Sequence, residues 1–449
     1  TAMDLIVAVD PWITLQRCPV ELSSTKDLIN LALTLCANSA QATASAVSAL
    51  VAASSVDATI VVVANLAPQL ALDSSAGATV LERLHMLALG GSGLGPALRE
   101  RMIRSALGPL LSQLPQERLA LAIETFAAPM RAAAPLQGAL QGDAAIATRL
   151  LLCLLAAADP PQPELSLQWL SAHWQWVQAA LAPDASVPEA VSAAACTSLT
   201  AILARARRSV MAKEAMARAA PLLTSCGKCG VSSAALSTLA SLVRISQGGV
   251  GHEALSQVFA AQILELMRCV AAVQPDQVQP DFLAAVLEVI AVGLAPRCTS
   301  LAPLLLEAPC GSLPAAMMAY IPSLPALRSP KAVCWGFVLL ARLPLWMAQG
   351  GQGTVAQRAG VLLDSVAAPA LHAGCEILAT SPLALDSEVA EALARTFQPF
   401  ASARPQIFLE SIRAAARVCG IPIEEGELLA AQVMDPAATE AALAAMLKE

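Results

Sequence analysis

Apolar residues recur along this chain at spacings of three and four, and prolines or glycine pairs interrupt the pattern about every 20 residues. The clearest case is Leu255, Val258, Phe259, Ile263, Leu266, Met267 and Val270, which fall on one face of a helix with 3.6 residues per turn. Phe282, Val286, Val289, Ile290 and Gly293 repeat the pattern, as do Val389, Leu393, Phe397 and Phe400. Strand-like alternation is nearly absent, and Thr59 to Val63 is the one β-rich candidate. The periodicity therefore predicts an all-α protein.

The breaks fall at Pro115, Pro135, Pro160, Pro183, Gly248-Gly249, Pro275, Pro296, Pro322, Pro344, Pro369, Pro382, Pro405 and Pro422, leaving helix-sized pieces. Two pieces make a hairpin of about 40 residues, within the range of HEAT and armadillo repeats. Neither helix of such a hairpin can bury its stripe alone, so neighbouring hairpins must stack. The expectation is a single continuous HEAT/armadillo-like α-solenoid over residues 1–449. Its antiparallel helix pairs would number about ten. Gly90 to Gly95, Asp159 to Pro163 and Gly350 to Gly353 read as short turns between helices, since none is long enough for a domain linker.

Composition narrows the function. Hydrophobic residues make up 56% of the chain but aromatics only 3%, so the apolar content is mainly Ala, Leu and Val, which suits helices. Charged residues reach 14% against roughly 25% in an ordinary domain, which assigns most helix surface to contacts between helices. Lys and Arg total 27 against 34 Asp and Glu, a net charge of −7 and the wrong sign for gripping phosphate backbones. One Tyr, seven Phe and six Trp are too few for a base-stacking platform, so nucleic acid is excluded as the default partner. A mean hydropathy of +0.62 raises the question of a membrane. However, 308–327 is broken by four prolines, 331–346 carries Arg342 and Pro344, and 28–56 is diluted by polar residues, so no insertion is expected. The twelve cysteines are scattered singly through apolar stretches, as reduced thiols are, and no basic-then-apolar leader precedes Asp4.

Catalytic and metal motifs lack their context. Cys226-Gly-Lys-Cys229 has a zinc or redox spacing, but no second pair follows and His252 is the nearest imidazole, so it reads as a turn between helices. The glycines from Gly90 are followed by Pro96, with no Lys-Ser/Thr and no preceding strand, so they read as a helix end and start. His85, His173, His252 and His372 are far apart with no nucleophile elbow near them. No enzyme activity, metal or cofactor is expected.

Two features offer surface to a partner. Trp169, Trp174 and Trp176 crowd one short stretch; Leu170 and Val177 place most of it in the core, while Trp176 stands off the stripe as a candidate docking anchor. Arg205, Arg207 and Arg208, with Lys213 and Arg218 beyond them, form the densest basic cluster of an acidic chain. A solvated helix end accounts for such a cluster. Guanidinium forks for phosphate or carboxylate would equally make Arg205, Arg207, Arg208 and Arg218 a candidate cargo-binding set.

Several blocks occur in a familiar order. LGPLLSQLPQERLALAIETFAAPM from Leu107, WLSAHWQWVQAAL from Trp169 and VPEAVSAAACTSLTAILARARR from Val187 resemble successive helices in the C-terminal half of importin-β-type nuclear transport receptors, the karyopherins. The transportin-3/importin-13 branch is the nearest. DFLAAVLEVIAVGL from Asp281, MMAYIPSLPALRSPKAVCWGFVLLARL from Met317 and the blocks between Val361 and Ala416 continue the order, so the resemblance covers 97–449 and is weak over 1–96.

The resemblance implies a HEAT-repeat receptor that carries protein cargo through nuclear pores. It also implies control by GTP-bound Ran, with the main Ran grip in preceding N-terminal repeats. Phe-Gly nucleoporins as partners, a monomeric state and shuttling between nucleus and cytoplasm follow from the same resemblance. In the transportin-3 branch an arginine-rich helix holds Arg/Ser-rich cargo. The matching positions here are Thr197, Thr200 and Ala204, with Arg205, Arg207 and Arg208 just after. The competing expectation is a cytoplasmic HEAT-repeat scaffold without transport activity.

Overall fold

The computed structural model describes residues 40–52, 56–89, 94–134, 140–184, 186–230, 232, 234–246, 252–272, 279–306, 320–321, 324, 329–349, 354–380, 388–389, 392–393, 396, 401, 403 and 405–419. Every regular element among them is helical. The turns at Gly248-Gly249 and Gly350 to Gly353, most of Gly90 to Gly95, and Phe397 and Phe400 lie outside the described residues. Thr59 to Val63, the β-rich candidate, is helical: it sits inside Val56–Leu72, where Leu66 and Leu70 extend its apolar face. Burial of that face outweighs the slight helix penalty of β-branched residues.

The chain divides into two compact units, Thr1–Ala212 and Lys213–Glu449. In the first, α1 (Ala40–Ala52) packs on α2 (Val56–Leu72) and α3 (Ser74–Leu89). Next, α4 (Pro96–Met102) runs through a π-helical stretch, Ile103–Leu107, into α5 (Gly108–Gln113). Then come α6 (Gln116–Ala133), α7 (Gly142–Ala157), α8 (Pro163–Ala172), α9 (Trp174–Ala180) and α10 (Glu189–Arg205). One layer consists of α2, the α4–α5 rod, α7 and α10, each packed on the next; α3, α6 and the α8–α9 pair form the second. The first-layer helices begin at residues 56, 96, 142 and 189, so the repeat is 40, 46 and then 47 residues long. That is the hairpin period expected of HEAT repeats.

The second unit has the same plan. After α11 (Val210–Lys228), which begins at the division, come α12 (Ala234–Ile245), α13 (His252–Ala272), α14 (Pro280–Gly293) and α15 (Leu301–Leu306). The last three are α16 (Pro330–Gln349), α17 (Thr354–Thr380) and α18 (Pro405–Cys419). Helices α12, α14 and α16 pack in series as one layer; α13, α15 and α17 form the other, with α18 against α17. Six of the seven residues of the α13 stripe, Leu255, Phe259, Ile263, Leu266, Met267 and Val270, are buried, and Val258 is half-buried. Glu253–Ala272 is also long and apolar enough to cross a membrane, which the sequence reading passed over. It carries Glu253, Gln257 and Arg268 on its exposed side, the pattern of a helix packed on one face.

Helix starts follow local chemistry. Asp73 accepts the N–H groups of Ser75 and Ala76 at 2.9 Å and caps α3, while Pro96, Pro163 and Pro280 occupy first-turn positions where no N–H is needed. Two of the expected breaks are not breaks: Pro344 and Pro369 lie inside α16 and α17. Packing of these helices along their length offsets the one hydrogen bond that each proline removes. Gly293 closes the stripe predicted for α14 because a Cβ there would stand 2.9 Å from both Ile263 Cδ1 and Leu305 Cδ1, so its absence lets three helices meet.

Candidate functional site

The last carbonyls of an α-helix find no partner within the helix. In this structure a side chain from the following repeat supplies one. Arg118 Nη1 donates to Ala71 O at 3.0 Å at the end of α2. Trp176 Nε1 donates to Ala134 O at 3.0 Å, at the C-cap of α6, and Trp346 Nε1 donates to Leu294 O at 2.7 Å, at the C-cap of α14. Arg205 does most: Nη2 reaches Ala156 O at 2.6 Å and Nη1 reaches Ala158 O at 2.5 Å, both at the end of α7. Its Nε–H is spent on Ala201 O at 3.0 Å, and Asp159 lies 3.2 Å from Nη1. Donor and acceptor stand 47 residues apart for Arg118, 42 for Trp176, 47 and 49 for Arg205, and 52 for Trp346, in each case close to one repeat.

Two expected site residues are therefore joints. Trp176 is half-buried, its N–H is taken, and its ring leans on His173 with centroids 5.7 Å apart, so it is not the free docking anchor that its place off the stripe suggested. Arg205 is withdrawn from the cargo-binding set for the same reason: a guanidinium engaged by three carbonyls and a carboxylate has little left to offer a ligand.

Arg207 and Arg208 remain as surface groups. They occupy the turn after α10, closed by Ser209 N–H to Ala206 O at 2.9 Å, and both are exposed without an ion pair or hydrogen bond among the described residues. The preceding helix end favours cations there. Val210, at 66% exposure, and Met211, at 41%, follow directly, so two guanidinium forks sit beside two exposed apolar side chains. Lys213, by contrast, is buried, and Arg218 is exposed on α11 in the second unit.

A polar cluster surrounds His173, at the break between α8 and α9. Nδ1 lies 2.8 Å from Trp169 O and must donate to it, so Nε2 accepts from Arg131 Nη1 at 2.9 Å; Arg131 also pairs with Glu124. Burial first, and the Arg131 charge second, lower the imidazole's pKa below its ordinary 6.5. The sign follows from linkage: the unfolded chain takes up a proton that the native site resists, so stability from this site is lost as pH falls through 6.5. Acidification from neutral pH is expected to lower the thermal midpoint more in the parent chain than in His173→Gln, as calorimetry at stepped pH values would show. Equal slopes would remove His173 as the cause. The sequence gives little warning of this cluster, because Arg131 reaches His173 across 42 residues.

The cysteines form no metal centre among the described residues, where no group of three His, Cys, Asp or Glu side chains could hold an ion. Cys226 is buried, and its thiol is pushed up to about 11 by burial and the nearby Cys229, which is exposed. Lys228, between them, is paired with Glu265.

No family model and no curated protein matches the chain. Among solved structures it is similar to one described as importin-13 in its cytosolic state, with a TM-score of 0.65 and 12% sequence identity, over 92% of this chain and 50% of that one. The chain thus spans half the length of that structure. At this identity the likeness shows the fold alone, and with the two-layer repeats above the fold is a HEAT-type α-solenoid, as in that structure.

Proposed function

We propose that this chain is the protein-binding part of a nuclear import receptor, which holds cargo on its stacked repeats and carries it between cytoplasm and nucleus under control of GTP-bound Ran. The observation that carries the reading is the similarity to importin-13 over 92% of the chain. Function does not follow from fold alone. The site adds a second support in Arg207 and Arg208, a pair of guanidinium groups beside exposed Val210 and Met211 and suited to acidic or phosphorylated segments of a protein. Arg218, in the second unit, is a separate basic candidate for the same class of cargo. Contacts with Phe-Gly nucleoporins complete it, and no step of it requires covalent chemistry.

The test is capture from cell extract with and without GTP-locked Ran. Phe-Gly nucleoporins and nuclear proteins are expected on the chain, with the nuclear proteins released by Ran-GTP. Capture of neither would leave the scaffold reading. Arg207→Glu with Arg208→Glu is expected to weaken acidic or phosphorylated cargo about tenfold or more, given the usual strength of charge-assisted hydrogen bonds, while helicity and thermal midpoint stay unchanged. Undiminished capture would take the pair out of the site.

A further inference from the structure

The α12–α14–α16 layer of the second unit leaves one stripe of α16 uncovered. Lys331, Trp335, Val338, Arg342 and Leu345 recur at helical spacing, and each is exposed or half-buried, whereas Phe337, Leu339, Leu340 and Leu343 around them are buried. At the Trp335 end the charges are already matched. Arg244 Nη2 donates to Glu288 at 2.7 Å, Ser237 Oγ also reaches Glu288, and the Arg244 guanidinium lies 5.8 Å from the Trp335 ring centroid.

Arg342, two turns further on, has no such match. Its Nε is buried without a hydrogen-bond partner, and no carboxylate pairs with it among the described residues. Burial lowers its pKa, and the one neighbour acting on it electrostatically is the Cys298 thiol. Glu288, on the neighbouring α14, is already held by Arg244 and Ser237. Lys331, at the start of the stripe, is exposed and has no ion pair among the described residues either. A half-buried guanidinium with no counter-charge pays for desolvation and recovers nothing until an anion arrives.

We propose that the stripe from Lys331 to Leu345 docks an acidic, partly apolar segment of a partner protein, one of whose carboxylates pairs with Arg342. Complementarity argues for this occupant: a guanidinium fork takes a carboxylate through two hydrogen bonds, and Trp335, Val338 and Leu345 give intervening apolar side chains a surface. Trp and Arg are also the residues that most often dominate protein interfaces. The inference takes from the proposed function only that the partner is a protein. It places a contact surface in the second unit, on residues other than Arg207, Arg208 and Arg218.

The probe is a fluorescein-labelled synthetic peptide of alternating Glu and Leu, titrated with the full chain by anisotropy at low salt, beside a peptide with Gln in place of each Glu. The Glu peptide is expected to bind, the Gln peptide about tenfold or more weakly, and salt to narrow the gap. Arg342→Gln and Trp335→Ala should each weaken the Glu peptide by a similar factor. Arg342 makes no hydrogen bond or ion pair among the described residues, so its variant should keep the parent thermal midpoint, and exposed Lys331→Gln, with a smaller loss, checks the face independently. Equal affinity for the two peptides, or full binding by Arg342→Gln, overturns the proposal. So does a concentration-dependent dimer that Arg342→Gln abolishes, since the stripe would then join two copies. Peptide binding without nucleoporin capture would sink the transport reading and keep the face; the reverse would sink the face alone.

Discussion

Arg205→Met is expected to destabilise the first unit by about 2–4 kcal/mol, the cost of leaving two carbonyls, one in buried Ala158 and one in half-buried Ala156, without donors when the charged group that served them is removed. Ala158 is fully buried, and both it and Ala156 receive their hydrogen bonds from Arg205 at the end of α7. Methionine keeps the apolar stem over the joint, so the loss isolates the guanidinium. The contribution of Asp159 is small because that carboxylate is mostly exposed. Arg207→Gln and Arg208→Gln, on the exposed turn just beyond, are expected to stay within about 0.5 kcal/mol of the parent. Urea denaturation followed by far-ultraviolet circular dichroism separates the cases. A tolerated Arg205→Met would return that residue to the cargo-binding set.

These three arginines show what the sequence could and could not convey. Their charge and clustering are visible in the chain, and two of the three stand on the surface as expected. The role of Arg205 is not visible, because the carbonyls that claim it lie 47 and 49 residues earlier, at the end of a helix one repeat away. The bond made by Trp176 is hidden for the same reason, with Ala134 O 42 residues upstream. A usable signal does exist in retrospect: a long N–H-bearing side chain one repeat after a helix end.

The fold was more readable than the site because its determinants are local. Helical periodicity exposes itself within about 15 residues, and a hairpin repeats within about 40. The Ile263 stripe and the repeat length can therefore be read directly. The prolines misled where burial outweighed a local rule: Pro344 and Pro369 have the chemistry of a break, yet their helices continue because packed neighbours hold them on both sides of the proline. Arg342 escaped notice from the opposite direction. Its distinction is a missing counter-charge, and a sequence cannot show that a partner is absent until the chain is folded.

Trp346 tests whether these inter-repeat bonds hold the layers together or merely accompany them. Its side chain is 6% exposed and its N–H reaches the fully buried Leu294 carbonyl at 2.7 Å, so no water can take over when the donor is lost. Trp346→Phe retains most of the apolar area and orphans the carbonyl, which should cost about 1–3 kcal/mol. Trp346→Ala adds a cavity between α14 and α16 and should cost about 3–5 kcal/mol. The same Trp→Phe change at Trp176 should cost about 1 kcal/mol or less: Ala134 is buried, but the Trp176 ring is half-exposed, so water can reach the joint along it once the N–H is gone. Urea melts of the three variants, with hydrogen exchange at the end of α14, would give that order if burial of the donating ring sets the strength of each joint. Equal costs for the two Trp→Phe changes would show that ring packing, not the hydrogen bond, links one repeat to the next.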